Sequence, residues 1–505
     1  MRIAIIGAGI SGIAAAHILT KCGHEVVVFE KSNELGGIWA LAYPGVKLQN
    51  TRREYHLSDM PWRIKPDLHP SGAQIRDYLN QTAVSLQLDI RKGHEVLALI
   101  ECDTGWRLKY HDTEGDHEEE FSFVLVAVGQ YTEGKHKPRF PGQEKFKGQV
   151  LTERDVKDLD VFDNKNTVIV GFGKSAVDMT TFAAKGARQV YHVFRTPRWM
   201  IPFYMLGIHY AKIMFCRMGT MIIPAWAYPS RVERVLHEKL SFIVKGCWKL
   251  IEGIISLQCK LHARGLGKEA LTRLKTILPT HPMVRDLRSA AAMSPEDYFP
   301  YIAEGKILPI QSELEGFTEN GLKLKDGSIL ECDQVVLCLG SEAPSFPFLE
   351  DKYRQILEAE IDGIQLYRHL LHPRIPNLAF AGFNHGFMHV PSVEVAMLWL
   401  SALLNNEIQL PSVEKMEQSM SRVLEWKRQN INFEPSRSCA VNTRFQQYID
   451  IMLKDLGVSP YRKMPNVFAE LFVQYGASDY KDVFEDYRGS RKNTESPREV
   501  MSLDT

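Results

Sequence analysis

The chain carries two glycine fingerprints, Gly7-Ala8-Gly9-Ile10-Ser11-Gly12 and, about 164 positions later, Gly171-Phe172-Gly173-Lys174-Ser175-Ala176. Each follows an apolar run typical of a buried strand and precedes a proline-free run typical of a helix. A strand, a glycine turn and a helix in this order place the pyrophosphate of a dinucleotide at the helix N-terminus. The sequence therefore predicts an α/β protein with two Rossmann-like domains that bind two different dinucleotides.

The first unit favours a dinucleotide with an unphosphorylated ribose. Gly7 permits the turn, Gly9 lets the backbone approach the pyrophosphate, and Gly12 allows close helix packing, with Ser11 beside it. The next predicted strand, residues 25–29, ends at Glu30, which is followed by Lys31. An acid at this position accepts hydrogen bonds from an adenosine ribose, as in FAD or NAD.

The second unit has basic residues at the corresponding position. Its second strand, residues 189–194, ends in Arg195-Thr196-Pro197-Arg198 instead of an acid. Two guanidinium groups and a hydroxyl suit a 2′-phosphate, because arginine binds phosphate through a planar fork of donors. With Gly171, Gly173, Lys174 and Ser175 as the cradle, the sequence favours NADPH; solvated loop charges are the alternative for the two arginines.

The composition excludes several classes of function. Lysine plus arginine equal aspartate plus glutamate at 61 each, so no charge excess indicates nucleic acid as a partner. The 8 cysteines include no closely spaced pair, which argues against a metal cluster and against a redox disulfide. We expect no metal site and a reducing, cytoplasmic setting.

The chain contains no run of 18 uncharged apolar residues, so we expect no spanning helix. Because the first strand begins near residue 3, we also expect no signal peptide. The sequence predicts amphipathic helices over residues 203–228 and 242–257. Helices packed over the active site and peripheral membrane contact are both open interpretations, with the first favoured.

The order of the segments predicts how the domains divide. Residues 1–160 form the first part of the first dinucleotide-binding domain, and residues 161–335 form the second, NADPH-binding domain with a helical insertion at about 201–293. Residues 336–487 return to the first domain, which the family resemblance given below assigns to FAD, and add C-terminal helices. Residues 488–505 are polar and charged, so we expect a disordered tail. Two strands that end in glycine, at Gly129 and Gly340, repeat the same pattern in both domains.

The motifs together resemble the flavin-containing monooxygenases, a family of class B flavoprotein monooxygenases, over residues 3–399. The motifs that carry the resemblance are the first fingerprint with Glu30, Gly36-Gly37-Ile38-Trp39, Lys47-Leu48-Gln49-Asn50, Ser58-Asp59-Met60-Pro61-Trp62, Phe140-Pro141-Gly142, the second fingerprint with Ser175-Ala176-Val177-Asp178, Phe194-Arg195-Thr196-Pro197-Arg198-Trp199, and Gly340 followed by Phe346-Pro347-Phe348-Leu349. Within the family, the chain looks most like plant and microbial N-hydroxylating members.

This resemblance implies a reaction. NADPH reduces FAD, O₂ adds at the flavin C4a carbon, and the hydroperoxide passes one oxygen atom to an amine nitrogen or a thioether sulfur, as in an N,N-dimethylaniline monooxygenase. The alternatives are insertion beside a ketone (Baeyer-Villiger chemistry), uncoupled oxidation of NADPH to hydrogen peroxide, and a nucleotide-binding protein without catalysis. The partners are a small molecule and O₂; a homodimer is left open.

The resemblance also assigns residues to the flavin site. Asn50 aligns with a family asparagine near the reactive part of the flavin, with Gln49 as its rival and a plain turn as the alternative. The remaining candidates for the flavin site are Gly37, Trp39, Asp59, Gly129, Gly340 and Gly382. Ordinary core burial is the alternative for Trp39, and a turn cap is the alternative for Asp59.

The chain departs from the family pattern at one hallmark. In the segment that begins Phe146-Lys147-Gly148, Thr152 replaces the family histidine and Val156 replaces an aromatic residue, while Cys338-Leu339-Gly340-Ser341 replaces the more common Ala-Thr-Gly-Tyr. These departures concern the coupling of NADPH oxidation to oxygenation. We expect the substrate pocket to be lined by the insertion and by residues 383–390, where His385 and His389 are candidates for substrate contact.

Overall fold

The computed structural model describes residues 1–131, 134–224, 229–287, 292–361, 363–430, 441, 443–492 and 496–501. The strands are β1 Arg2–Ile6, β2 Glu25–Glu30, β3 Ile90–Lys92, β4 Glu95–Cys102, β5 Gly105–Asp112, β6 Gly115–Phe121, β7 Phe123–Val126, β8 Gln149–Thr152, β9 Asn166–Val170, β10 Gln189–Phe194, β11 Met200–Pro202, β12 Tyr204–Met205, β13 Ile208–His209, β14 Ala292–Ser294, β15 Ile307–Gln311, β16 Leu314–Thr318, β17 Gly321–Leu324, β18 Ile329–Glu331, β19 Gln334–Leu337, β20 Leu378–Phe380, β21 Ile408–Gln409 and β22 Arg498–Glu499.

The helices vary from one turn to 21 residues. They are α1 Ile10–Lys21, α2 Gly72–Ser85, α3 Lys174–Ala183, α4 Tyr210–Met214, α5 Arg217–Met221, α6 Arg231–Arg234, α7 Ser241–Leu261, α8 Gly267–Thr276, α9 Met283–Leu287, α10 Tyr298–Glu304, α11 Asp351–Leu357, α12 His389–Leu404, α13 Val413–Asn430, α14 Phe445–Asp455, α15 Val467–Phe472 and α16 Val483–Arg491.

Two parallel five-stranded sheets organise the molecule. The first has the strand order β20-β7-β1-β2-β3, and the second has the order β15-β10-β9-β19-β8. Both are rich in buried aliphatic residues, as parallel sheets covered by helices on their faces require. The predicted α/β fold with two Rossmann-like domains is confirmed.

The sheet topology refines the predicted domain boundaries. Residues 378–380 return to the first sheet beside β7. The predicted boundary at residue 160 is wrong for β8, because this strand pairs with β19 at the edge of the second sheet. The strand β19 itself runs to Leu337, past the predicted boundary at residue 335. A short edge strand carries no local signal for the sheet that it joins.

The insertion between residues 201 and 293 is bracketed by a pair of strands. β11 and β14 pair in parallel, with Met200 opposite Ala292. Between them lie α4 to α9, so the described part of the insertion is mainly helical. The long helix α7 buries Trp248 and Ile255 while Leu250 and Leu257 are exposed. Among the described residues, every helix is either too short or too polar to span a lipid bilayer.

The C-terminal tail is ordered where it is described, against the prediction. α16 continues to Arg491, and β22 pairs with β21. Met501 donates its N–H to Asp455 at 3.1 Å and accepts from Arg368 at 2.9 Å. Composition could not predict this order, because the mainly polar tail is held by contacts with distant residues: Met501 joins the buried ion pair of Arg368 with Asp455, and Val500 packs in the main hydrophobic core. Residues 493–495 and 502–505 lie outside the described residues.

Candidate functional site

The carboxyl ends of β1 and β2 and those of β9 and β10 open into one cavity of about 1630 Å³. Its wall includes both glycine turns and the segments that follow both second strands. Of the predicted site residues, those that line the cavity are Gly7, Gly9, Ser11, Glu30, Lys31, Gly37, Trp39, Asn50, Gly129, Gly171, Gly173, Lys174, Ser175, Arg195, Thr196, Arg198, Gly340 and Gly382. Gly12 and Asp59 are not in the lining.

The first glycine turn is closely packed on its inner side. Gly7 has φ +105°, and a Cβ on it would lie 2.7 Å from the carbonyl oxygen of Ala127. A Cβ on Gly12 would lie 1.9 Å from the carbonyl oxygen of Gly7. These contacts bring α1 against the turn, so that the helix N-terminus faces the cavity. Gly12 therefore supports the cradle from behind, which explains why it is absent from the lining.

Glu30 is held at the end of β2 by backbone donors. Its carboxylate accepts from the N–H of Ala8 at 2.8 Å and from the N–H of Ser32 at 2.9 Å. The side chain is buried and lines the cavity. A carboxylate oriented in this way can accept ribose hydroxyl hydrogens with its remaining lone pairs.

The second glycine turn is built in the same manner. Gly171 has φ +127°, and a Cβ on it would lie 2.3 Å from the carbonyl oxygen of Cys338. Lys174, the first residue of α3, donates to Asp178 at 2.5 Å, and Asp178 also accepts from the Tyr43 hydroxyl at 2.8 Å. The lysine is thus fixed at a helix N-terminus that faces the cavity, which suits a phosphate.

The two arginines at the end of β10 differ in their surroundings. Arg198 donates to the buried carboxylate of Asp286 at 3.2 Å, and Asp286 also accepts from the N–H of Trp199 and from His281, both at 2.8 Å. Arg195 is exposed. The insertion thus supplies a carboxylate that fixes Arg198, and no local pattern around residue 198 predicts this partner 88 positions away.

Asn50 is part of the cavity wall. Its side-chain amide donates to the carbonyl of Phe387, and Asn50 itself is buried. The rival residue Gln49 also lines the cavity, but its side-chain oxygen accepts from the N–H of Met293 at 2.9 Å. The Gln49 side chain therefore fastens the insertion to this wall.

Two flavin-site predictions have different outcomes in the structure. Trp39 lines the cavity and donates its indole N–H to the Tyr55 hydroxyl at 2.8 Å. Asp59 does not line the cavity, against the prediction, because its carboxylate pairs with His17 at 2.9 Å and with Lys21 at 3.0 Å. These two ion pairs lower the pKa of Asp59 despite its burial and tie its loop to α1.

The hallmark positions at which the chain departs from the family lie behind the cavity wall. The N–H and the hydroxyl of Thr152 both donate to Asp155, at 2.7 and 2.9 Å, and Val156 is buried in the core of the second domain. The intervening residues Glu153 and Arg154 do line the cavity. Sequence reasoning missed them, although they stand between the two positions that it singled out.

Histidines after Gly382 line the cavity as expected. The Nε2 of His389 lies 2.9 Å from the Ser11 hydroxyl, so the return segment contacts the first helix directly. Burial lowers the pKa of His389 to about 3, so this imidazole is neutral at pH 7. His385 also lines the cavity, together with His281, Arg285 and Leu287 from the insertion. The insertion therefore forms one part of the cavity wall, and its contact with the substrate stays a prediction.

Buried polar atoms in the lining indicate that a polar ligand belongs here. Gln130 Oε1, Glu153 Oε2 and His389 Nδ1 are buried without a hydrogen-bond partner among the described residues, and all three residues line the cavity. Buried polar atoms normally find a partner. Together with the two glycine cradles, they fit a cavity that holds two dinucleotides.

The thiol inventory argues against disulfide chemistry. Within the described residues, Cys338 is the one cysteine in the cavity lining. Burial raises the pKa of its thiol well above the ordinary value, which disfavours the reactive thiolate. A flavin-linked disulfide reductase needs a pair of thiols, and the lining formed by the described residues provides no pair.

Two family models and a curated relative match the sequence of this chain. Residues 4–203 match the family model for pyridine nucleotide-disulphide oxidoreductases, and residues 288–471 match the model for flavin-binding monooxygenase-like proteins. The probable flavin-containing monooxygenase 1 of Arabidopsis thaliana is 30% identical, covering 95% of this chain and 96% of its own length.

Solved structures show the same fold. A cyclohexanone monooxygenase superposes with a TM-score of 0.67 and 16% identity, covering 90% of this chain and 97% of its own. The S-allyl-L-cysteine S-oxygenase from Allium sativum superposes with a TM-score of 0.62 and 18% identity, covering 97% of this chain and 94% of its own.

Proposed function

The chain belongs to the flavin-containing monooxygenases, which use FAD and NADPH, and on this premise we propose that it oxygenates an amine nitrogen or a thioether sulfur of a small molecule. One oxygen atom of O₂ goes to the substrate and the other leaves as water, while NADPH supplies two electrons. The observation that carries the proposal is the single cavity shared by both glycine cradles.

Each cradle would orient one cofactor. The turn at Gly7 and the N-terminus of α1 would hold the FAD pyrophosphate, with Glu30 on the ribose. The turn at Gly171 and the N-terminus of α3 would hold NADPH, with Arg195 and Arg198 on its 2′-phosphate. When bound, FAD supplies the oxygen-transfer chemistry and NADPH the hydride. The chain supplies orientation and a wall that excludes water.

Asn50 is the residue that we assign to the reaction itself. One hydrogen of its amide is used by the carbonyl of Phe387. The second amide hydrogen and the side-chain oxygen remain for the reacting end of the cavity. An oriented amide there can donate to a developing negative charge and hold the nicotinamide in place.

The lining around Asn50 favours a soft, neutral substrate atom. Its neighbours in the lining include Leu48, Gln49, Tyr55 and Phe387, which are uncharged. A lone pair on nitrogen or sulfur can attack without a protein acid or base, whereas insertion beside a ketone passes through an alkoxide that requires stabilisation. The uncharged residues named here suit such an attack by an amine nitrogen or a thioether sulfur.

The positions of Thr152 and Val156 support a coupled enzyme. Neither residue lines the cavity, so neither replacement changes a group that touches a cofactor. Thr152 has a local hydrogen-bonded role with Asp155, and Val156 fills the core. We therefore infer that the replacements at Thr152 and Val156 leave oxygen transfer coupled to NADPH oxidation. The segment Cys338-Leu339-Gly340-Ser341, the other departure from the family pattern, does line the cavity.

A substrate panel tests the proposal. The flavin-loaded protein is supplied with NADPH, ¹⁸O₂ and, in turn, N,N-dimethylaniline, thioanisole or cyclohexanone. Mass spectrometry should find one ¹⁸O atom in an N-oxide or a sulfoxide, with little hydrogen peroxide. If the lactone of cyclohexanone is the only labelled product, the Baeyer-Villiger alternative is established. If hydrogen peroxide forms in the same amount as NADPH is oxidised and no product is labelled, the protein is an oxidase.

A further inference from the structure

Two histidines from distant segments meet behind Asn50. His69 lies in the segment before α2, and His209 lies immediately before α4 in the insertion. Their Nε2 atoms are 3.1 Å apart, so one ring donates to the other. His209 is buried, and the aromatic rings of Phe203 and Tyr210 pack around the pair.

The neighbouring hydrogen bonds determine the direction of donation. The N–H of Ala211 lies 3.3 Å from Nδ1 of His209, so this nitrogen is an acceptor. A neutral imidazole with an acceptor at Nδ1 carries its hydrogen on Nε2. His209 therefore donates from Nε2 to Nε2 of His69.

The same reasoning determines the tautomer of His69. Because its Nε2 accepts, its hydrogen is on Nδ1. That nitrogen lies 2.9 Å from the carbonyl oxygen of Asn50 and 3.1 Å from the carbonyl oxygen of Leu48. The hydrogen bonds thus run in one direction from the backbone of α4 to the backbone of Asn50.

Both rings are neutral at physiological pH. Burial lowers the pKa of His69 to about 4, and it also lowers the pKa of His209. The charged groups that act on the pair are Lys174 beside His69 and Lys212 beside His209, and both oppose protonation. The tautomers derived from the hydrogen bonds are therefore the states that exist near pH 7.

The insertion contacts the Asn50 segment at two further points. The hydroxyl of Tyr210 donates to the carbonyl of Gln49, and the side chain of Gln49 accepts from the N–H of Met293. Residues 48–50 are therefore attached to both ends of the insertion. Any displacement of the insertion acts directly on the backbone that carries Asn50.

We propose that His69 and His209 are positioning residues, which transmit the placement of the insertion to Asn50 through its backbone carbonyl. The pair keeps the Asn50 amide oriented between Phe387 and the reacting end of the cavity. The functional part of this inference rests on the role proposed above for Asn50. Neither histidine lines the cavity, so the pair acts only through Asn50 and its neighbours.

Nitrogen NMR of the holoenzyme tests the relay directly. Protein labelled with ¹⁵N-histidine is studied at pH 7.5 by long-range ¹H–¹⁵N correlation, and the variants His69→Asn and His209→Gln assign the two rings. We expect hydrogen on Nδ1 of His69 and on Nε2 of His209. The opposite tautomer at either ring, or a doubly protonated ring, would overturn the relay.

A double-mutant cycle tests the consequence for coupling. In His69→Phe and in His209→Phe, we expect the fraction of NADPH oxidation that yields hydrogen peroxide to rise about fivefold. A change of this size is the effect of one lost hydrogen bond. The double variant should match the worse single variant, because both changes break one relay. Independent, multiplied effects would overturn the inference.

Two variants separate positioning from general damage. His69→Asn places an amide N–H near the position of Nδ1 and should restore at least half of the coupling lost in His69→Phe; no restoration would contradict the relay. The control His111→Phe changes an exposed ring on β5 that is not part of the cavity lining, and it should alter neither coupling nor flavin content. If the wild-type protein oxygenates nothing, the proposed function fails, and the NMR tautomers alone decide the relay.

Discussion

The side-chain amide of Asn50 donates to the main-chain carbonyl of Phe387, which joins two segments 337 positions apart in the chain. One segment follows the first glycine turn, and the other belongs to the return of the chain to the first sheet. Both residues line the cavity, so this hydrogen bond fixes the orientation of the proposed catalytic amide within the cavity wall.

Replacement of Asn50 by aspartate tests this contact. A carboxylate cannot donate to the Phe387 carbonyl and repels it, so we expect oxygenated product to fall by at least about tenfold, the cost of one charge-sensitive hydrogen bond. The missing product should be recovered as hydrogen peroxide, while flavin content measured by absorbance is unchanged. Asn80→Asp on the exposed face of α2 is the matched control. Unchanged coupling in Asn50→Asp would remove Asn50 from the mechanism.

The arginines after β10 should separate NADPH from NADH. Arg195→Ala removes an exposed guanidinium at the proposed 2′-phosphate position, and we expect the KM for NADPH to rise roughly tenfold or more while the KM for NADH stays constant. Steady-state kinetics with both cofactors measures the ratio. Arg188→Ala, which changes an exposed arginine outside the cavity lining, is the control. An equal effect on both cofactors would mean that Arg195 does not read the 2′-phosphate.

Arg198 should behave differently, because it is paired with the buried carboxylate of Asp286. Arg198→Ala removes a guanidinium that donates to this carboxylate, so we expect a loss of stability of roughly 1–3 kcal/mol in addition to weaker NADPH binding. Thermal unfolding without cofactor isolates the stability effect. An Arg198→Ala protein as stable as the wild type would show that the other contacts of Asp286 are sufficient.

Glycine substitutions should distinguish folding from cofactor binding. A Cβ on Gly12 would collide with the Gly7 carbonyl, so Gly12→Ala should cost roughly 1–3 kcal/mol and reduce flavin loading. A Cβ on Gly173 has no protein atom within 4 Å, so Gly173→Ala should unfold at the wild-type temperature but bind NADP⁺ more weakly. Thermal scans and titrations measure both. Gly246→Ala in α7 is the control, because a Cβ there also has no protein atom within 4 Å. If Gly173→Ala bound NADP⁺ as tightly as the wild type, the pyrophosphate would bind at another place.

The stability of the protein should depend on pH through Glu394. Burial raises the pKa of this carboxyl to about 8 from 4.5, although it accepts from the N–H of Ser58 at 3.0 Å. Between these pH values the folded state holds a proton that the unfolded state has released, so stability falls as pH rises.

Glu394→Gln should remove this dependence. Relative to the variant, the wild-type protein should lose roughly 3 kcal/mol of unfolding free energy between pH 5 and pH 8. Urea unfolding at several pH values gives the difference, with Glu269→Gln, whose side chain is 94% exposed, as the control. If the unfolding free energies of Glu394→Gln and the wild type change in parallel with pH, Glu394 is ionised throughout this pH range.

The sequence by itself determined the two nucleotide-binding units and most of their lining. Each unit is local: a strand, a glycine turn, a helix and the end of the next strand lie within about 30 residues, the span of one βαβ unit. The requirement for glycine at Gly7 and Gly171 comes from backbone geometry. The proposed roles of Glu30 and Arg195 follow from whether the ribose of each cofactor carries a phosphate. Such features can be read from residue types and spacing alone.

Only the tertiary structure decided the contacts between distant segments. Asp59 pairs with His17 and Lys21, Asp286 fixes Arg198, and Met501 joins the tail to Asp455. The pair His69 and His209 is 140 positions apart in the chain and carries no motif. A hydrogen bond across such a separation depends on how whole elements pack, and the residue types around each partner do not encode it.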